Sequence, residues 1–318
     1  MFEQILDLIK KYKSIIIFGH LNPDGDCYGS QVALKEIIQA NFPDKQVYIT
    51  GTGVPRFYNL VCKMDVVPDK VFEKSLGILV DGNDLGRMED QRVANCAAWA
   101  KIDHHIDTGS FKEGPQVVDT NANSTCDIIT RFVMEFNLKI TKLAAMALYL
   151  GILTDTARFQ FVTNYPETFG RVKFLCENGA DPAEINEVLN RTDVIALAAK
   201  GYVLSHYKKS KSGVIYIIFN RKTLQKLSIS ANHASGLVNL LSNIDGYPVW
   251  CTFAEYTNGK VRMELRSNGP IIQPVAVSVG GGGHAHASGA TLPELKQEII
   301  DDIIHKLDQT IVEWKENQ

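Results

Sequence analysis

Short apolar runs alternate with longer amphipathic stretches along the first half of the chain. Residues 14–19, SIIIFG, form a β-branched run, the pattern of a short buried strand. The segment HLNPDGD then breaks the pattern with proline and glycine, and YGSQVALKEIIQA, from Tyr28, has helical spacing. QVYIT (46–50), GILVD (77–81) and AAWAKI (97–102) predict three more strands, and 124–136 and 141–153 predict helices. Strands separated by helices imply parallel pairing with right-handed crossovers. Residues 182–206 predict a helix that is polar on one face and connects to a second region. There the pattern changes. GVIYIIF (213–219), PVWCTFAEY (248–256) and KVRMELRS (260–267) predict strands, and Val261, Met263 and Leu265 alternate with Arg262, Glu264 and Arg266. Residues 293–314 predict an amphipathic helix. The expected fold class is α/β, with a parallel-sheet domain over 1–185, a linker helix over 186–209, and a smaller mixed α/β domain over 210–318 facing the first across a cleft.

Composition narrows the function classes. A chain of 318 residues, 45% hydrophobic and 22% charged, suits about two folded domains. Its 33 basic and 36 acidic residues leave a formal charge of −3. No global basic field draws it onto long duplex nucleic acid, so a nucleic-acid ligand is expected to be short or held by local basic residues. The six cysteines include no C-x-x-C pair, which argues against a thiolate zinc site or a disulfide framework and fits a cytoplasmic location. MFEQILDLIKKYK reads as an amphipathic helix rather than a signal peptide, and no apolar run nears the roughly 20 residues of a membrane span.

The candidate chemistry falls where the apolar runs end. His20, Asp24 and Asp26 form H-x3-D-x-D behind the first strand. Asp81 closes the third strand, Asp103, His104 and His105 follow the fourth, and Asp155 follows a helix. Open parallel sheets bind ligands beyond the carboxyl ends of their strands, so these residues are expected at one edge. Singly, each has a plain structural reading: Asn22 and Asp24 as caps, Asp81 as a loop closer, exposed loop histidines, Asp155 as an N-cap. Asp84 and Arg87 pair either to orient Asp81 or as a surface ion pair worth little. Together the four aspartates repel unless cations sit between them. Asp24, Asp26, Asp81 and Asp155 balance two divalent ions, with neutral His20 and His104 completing the shells. Thr154 and Thr156 are expected to position Asp155, and Asp103 to fix an imidazole tautomer. Carboxylates with some imidazole suit Mn²⁺, with Mg²⁺ or Fe²⁺ as alternatives. The expected chemistry is phosphoester hydrolysis, with Asp81, Asp103, His104 and His105 at its centre.

A second signal is GGGGHAHASGA, residues 280–290. Gly281, Gly282 and Gly283 let backbone amides approach an anion, and His284 and Ser288 add donors. Arg266 and Ser267, at the end of a strand, are expected to reach the same phosphate. No G-K-[ST] follows, so this is no Walker loop; the plain alternative is a flexible linker. Arg262 reads as a solvated face residue. No G-x-G-x-x-G follows the first strand, which excludes a nicotinamide-type oxidoreductase.

HLNPDGD, VDGNDLGR, IDHH, LGILTDTARF, LRSNG and GGGGHAHASGA run in this order across almost the whole chain. They resemble the DHH phosphoesterase superfamily joined to its DHH-associated C-terminal domain, and the size is similar to the bacterial NrnA group of nanoRNases and 3′-phosphoadenosine 5′-phosphate phosphatases. The resemblance implies two Mn²⁺ in the first domain and a nucleotide cradle in the second. By position, His20, Asp24 and Asp81 look like ligands of one ion, and Asp26, Asp81, His104 and Asp155 like ligands of the other. Asp103 and His105 match supporting and substrate-facing positions, and Arg266, His284 and Ser288 match substrate contacts. The chain departs at Cys27, where a small apolar residue is usual, at Ala157 for glycine, at Gln160 for a basic residue, and at IDT after DHH, where asparagine is frequent. None of these removes a ligand. The implied activity is hydrolysis of oligonucleotides of a few residues and of 3′-phosphoadenosine 5′-phosphate. A cyclic- or linear-dinucleotide phosphodiesterase is the nearest alternative, and a non-catalytic nucleotide-binding module is the alternative of another class. A homodimer is left open.

Overall fold

The computed structural model describes residues 2–57, 61–82, 84–106 and 114–317. The chain divides into two compact units, Met1–Arg191 and Thr192–Gln318. The first runs α1 (Phe2–Lys11), β1 (Ser14–Phe18), α2 (Gly25–Asn41), β2 (Gln46–Thr50), β3 (Leu76–Val80), β4 (Ala98–Asp103), β5 (Gln116–Val118), α3 (Thr125–Glu135), α4 (Lys142–Asp155), α5 (Tyr165–Glu177) and α6 (Pro182–Asn190). Its five strands form one parallel sheet in the order β2-β1-β3-β4-β5. Phe18 pairs with Leu79 and Val80 with Ile102, which brings the carboxyl ends of β1, β3 and β4 to one edge. Ile15, Ile16 and Ile17 are fully buried, as a strand with neighbours on both sides and covered on both faces requires.

Helix boundaries decide which acids reach that edge. α2 begins at Gly25, three residues before the expected Tyr28, because the Asp24 side chain caps it. Its Oδ1 accepts from the Asp26 and Cys27 amides at 3.0 Å each. Asp26 and Cys27 therefore lie in the first helical turn and are buried. α4 continues to Asp155 rather than ending at 153. Gly151 lets α3 and α2 close on α4: a Cβ there would run into Cys126 Sγ and stand 2.8 Å from Asp26 Oδ1.

The single linker helix expected over 186–209 is not formed. α6 stops at Asn190, and Asp193 starts a new helix by accepting from the Ala196 amide at 2.7 Å. A local cap overrides the apolar periodicity that runs through the break. The second unit runs α7 (Val194–His206), β6 (Lys208–Lys209), β7 (Val214–Phe219), α8 (Arg221–Leu227), α9 (Ala231–Gly236), β8 (Val249–Glu255), β9 (Val261–Ser267), α10 (Gln273–Ser278), β10 (Gly282–His284), β11 (Ala287–Leu292) and α11 (Gln297–Glu316). Its six-stranded sheet, β10-β11-β9-β8-β7-β6, is mixed, with β7 and β8 parallel. Val261, Met263 and Leu265 join α11 residues such as Ile303 and Leu307 in one core, while Trp250 and Ala254 of β8 face a second core with Ala199 and Leu224. The glycine run, expected as an anion cradle or a flexible linker, forms a β-hairpin: Gly282 pairs with Gly289 and Gly283 with Ser288. Among the described residues no helix is long and apolar enough to cross a membrane.

Candidate metal centre

The sheet edge gathers the predicted residues around Asp81. Its side chain is buried, and its backbone is left-handed at φ 57°, which costs a non-glycine residue about 1 kcal/mol or more. His20 Nε2 lies 3.4 Å from Asp81 Oδ2, and His104 Nε2 lies 3.4 Å from Asp81 Oδ1. One carboxylate thus stands between two imidazoles. His104 Nε2 is also 3.4 Å from Asp155 Oδ2 and 3.9 Å from Asp26 Oδ2. The ligand atoms of Asp26, His104 and Asp155 lie within 4.8 Å of one another, as do those of Asp81, His104 and His105, and of His20, Cys27 and Asp81. His20 Nδ1 is 3.0 Å from the Leu21 carbonyl, a contact that turns Nε2 toward Asp81.

Helix α3 holds the centre from behind. Asp26 accepts from the Thr125 amide at 2.7 Å and from the Cys126 amide at 2.9 Å, so the carboxylate sits at a helix N-terminus. The Thr125 hydroxyl donates to Asp81 Oδ1 at 3.1 Å. Asp103, fully buried, accepts from the His105 amide at 3.1 Å and lies 2.9 Å from His105 Nδ1, which fixes that ring. Its other oxygen has no hydrogen-bond partner among the described residues.

Burial opposes protonation of His20 and His104, yet the neighbouring carboxylates, Asp81 first, push both up to about 9. Burial, with the like charge of Asp81 beside it, drives Asp26 well above the ordinary carboxylate range and Asp155 up to about 6. Burial would raise Asp81 too, but hydrogen bonds from His104 and His20 hold it below its ordinary range. The hydrogen bond that His105 makes to Asp103 raises His105. Oxygen-rich donors with two imidazoles are a set that could hold Mn²⁺, Mg²⁺ or Fe²⁺.

Asp24 lies at the rim of the cluster: it is exposed, its Oδ1 caps α2, and that atom is 4.0 Å from His20 Nε2. Two other expectations are corrected. Thr154 and Thr156 do not position Asp155; their hydroxyls bond back to the carbonyls of Leu150 and Ile152 at 2.9 and 2.6 Å. Asp84 does not pair with Arg87 but accepts from the Gly86 amide at 2.8 Å, capping the short turn Leu85–Arg87. Arg87 instead lines a cavity of about 150 Å³ with His20, Asp24, Asp81, Gly82 and His105. Sequence reasoning passed over Thr125, Cys126 and the ligand range of Cys27. The N-S-T-C-D run did carry a signal, since Ser124 caps α3 through the Asp127 amide at 3.0 Å.

In the second unit Arg266 is held by Glu264 at 3.1 Å, and Arg262, read as solvated, pairs with the same carboxylate at 2.7 Å. Ser267 and Ser288 are buried, with hydroxyls spent on the carbonyls of Pro270 and His284 at 2.6 and 2.7 Å. They shape the hairpin rather than present free donors. His284 and Gly283 are exposed, and Gly283 at φ 132° leaves no room for a Cβ, which would meet the Ala287 carbonyl at 2.6 Å.

The model of the DHH family, N-terminal domain, matches residues 14–152, and that of the DHHA1 domain matches residues 211–313. A probable bifunctional oligoribonuclease and PAP phosphatase NrnA of Streptococcus mutans is 37% identical over 306 residues, 96% of this chain and 97% of that one. The bifunctional oligoribonuclease and PAP phosphatase NrnA of Bacillus subtilis is 32% identical over 295 residues, 92% of this chain and 93% of that one. In fold, the chain is similar to an exopolyphosphatase-related protein from Bacteroides fragilis, with a TM-score of 0.84 at 24% identity over 99% of this chain and 96% of the other. The chain belongs to the DHH family of phosphoesterases, in the NrnA-type pairing of a DHH domain with a DHHA1 domain.

Proposed function

We propose that this chain is a Mn²⁺-dependent hydrolase of short oligoribonucleotides and of 3′-phosphoadenosine 5′-phosphate, with two ions held by His20, Asp24, Asp26, Asp81, His104 and Asp155. The observation that carries the reading is the approach of two imidazoles to the single buried carboxylate of Asp81, at 3.4 Å each. The names of the relatives matched over nearly the whole chain support the choice of substrates. When bound, the ion pair supplies neutralising charge at the phosphate and a lowered pKa for the attacking water.

The chain's own residues do the rest. Thr125 and the α3 amides hold Asp81 and Asp26 in place, so the ligand cage needs no reorganisation. His105 lines the cavity half-exposed, and Asp103 keeps its Nδ1 proton in place. Asp103 also favours the imidazolium form of His105, and in that form its Nε2–H is the group that passes a proton to the leaving oxygen. In the second unit, exposed His284 beside the Gly281–Gly283 backbone, together with Arg266, grips the nucleotide's phosphate.

Purified protein with Mn²⁺ should be offered dinucleotides, longer oligomers, 3′-phosphoadenosine 5′-phosphate and cyclic dinucleotides. Dinucleotides, short oligomers and the phosphoadenosine should turn over fastest, and chelator should abolish turnover. Faster turnover of cyclic dinucleotides would favour the phosphodiesterase alternative. Turnover of none would leave a nucleotide-binding module.

A further inference from the structure

We propose that Arg87 is a further catalytic residue: its guanidinium binds the non-bridging oxygens of the phosphate under attack. This rests on the hydrolase reading above. Arg87 lines the cavity of about 150 Å³ that His20, Asp24, Asp81 and His105 also line. It is a cation facing the acid cluster, yet its side chain has no hydrogen-bond or ion-pair partner among the described residues. Every other arginine of the first unit holds a carboxylate, a side-chain amide or an aromatic ring. The neighbouring acids are otherwise engaged. Asp24 caps α2, and Asp81 is bonded by Thr125 and flanked by His20 and His104.

The backbone around Arg87 is stitched to the ligand segment. Leu21 N–H donates to the Arg87 carbonyl at 2.7 Å, Met88 bridges to His20, and Glu89 N–H donates to the Gly19 carbonyl at 3.0 Å. Met88 is buried in a core with Phe18 and Leu79. The segment is therefore fixed beside His20, while the arginine side chain is left to the cavity. Once divalent ions neutralise the acids, the positive charge of Arg87 is unbalanced until an anion arrives. A guanidinium fork matches two phosphate oxygens, which a lysine does not.

In the reaction a water oxygen forms a bond to phosphorus and the ester P–O bond breaks. The leaving oxygen gains a proton, the water releases one, and Arg87 keeps its own throughout. Its contribution grows as charge builds on the non-bridging oxygens.

The test uses the full Mn²⁺-loaded chain with Arg87→Ala and Arg87→Lys. Three quantities are read: kcat/KM on a dinucleotide, calorimetric affinity for inorganic phosphate, and Mn²⁺ affinity with melting temperature. Arg87→Ala should lower kcat/KM by about 10²–10³. It should weaken phosphate binding about tenfold and leave Mn²⁺ affinity and melting as in the wild type. Arg87→Lys should recover only part. Wild-type kcat/KM and phosphate affinity in Arg87→Ala would overturn the proposal, as would a parallel loss of Mn²⁺ binding. If the wild type hydrolyses no phosphoester but its phosphate affinity still depends on Arg87, the hydrolase reading falls and the anion contact stands. If it neither hydrolyses nor binds phosphate, both fall.

Discussion

Thr125 is the smallest part of the centre whose removal is informative. Its hydroxyl donates to Asp81 Oδ1 at 3.1 Å, its amide donates to Asp26 at 2.7 Å, and it is fully buried. Thr125→Val keeps the shape and the amide but deletes the hydroxyl. Mn²⁺ affinity, measured calorimetrically, should fall about tenfold, as outer-shell partners of metal ligands usually show. Thr125→Ser should restore it; equal loss in both variants would mean that the hydroxyl is not what matters. At this scale the sequence revealed which residue types end each strand and little about what each side chain touches. Asp24 and Asp26 are two apart and look interchangeable in HLNPDGD, yet one caps a helix at the rim while the other is buried against α3. That difference arises because α2 starts at Gly25, and boundaries of this kind are set by caps rather than by periodicity.

Among the elements, α3 carries the positioning. Its N-terminus presents two amides to Asp26, and its first turn is anchored from outside. Buried Asp127 takes both the Nε and, at 3.0 Å, the Nη2 of Arg171 on α5. Removing one partner of a buried ion pair leaves an uncompensated charge, at a cost of about 3–5 kcal/mol. Arg171→Ala should therefore lower the melting temperature sharply and weaken Mn²⁺ binding with it, since the helix end that fixes Asp26 loses its anchor. Unchanged melting would show that α3 is held by its own cap alone. The three central strands β1, β3 and β4 were readable to within a residue or two from their apolar runs, because parallel strands covered on both faces have little else in them, and the edge strand β2 has the bounds read from QVYIT. Less was readable where geometry depends on partners distant in sequence. The break between α6 and α7 needed the Asp193 cap, and the hairpin in the glycine run needed β9 alongside β11, with Ser288 opposite Leu265.

At the scale of the whole molecule, the chain's near-neutral charge hides a local excess of acid that folding creates from four distant segments. Folded-state values near 9 for His20 and His104, raised from 6.5, stabilise the metal-free protein fully below pH 6.5. That stabilisation is lost as pH rises through 9. Asp155, raised from 3.8 to about 6, acts in the same direction over a lower window, and Asp81, whose value is lowered, stays charged throughout. Mn²⁺ must displace these protons, so its binding should tighten from pH 6 to pH 9 and release protons as it does. The decisive measurement is a calorimetric titration of the metal-free chain with Mn²⁺ across that range, beside Asp81→Asn, a substitution that tolerates the left-handed backbone. The account predicts two ions per wild-type chain, tighter at higher pH, and loss of both high-affinity sites in Asp81→Asn. No binding to the wild type, or equal binding to the variant, would contradict it.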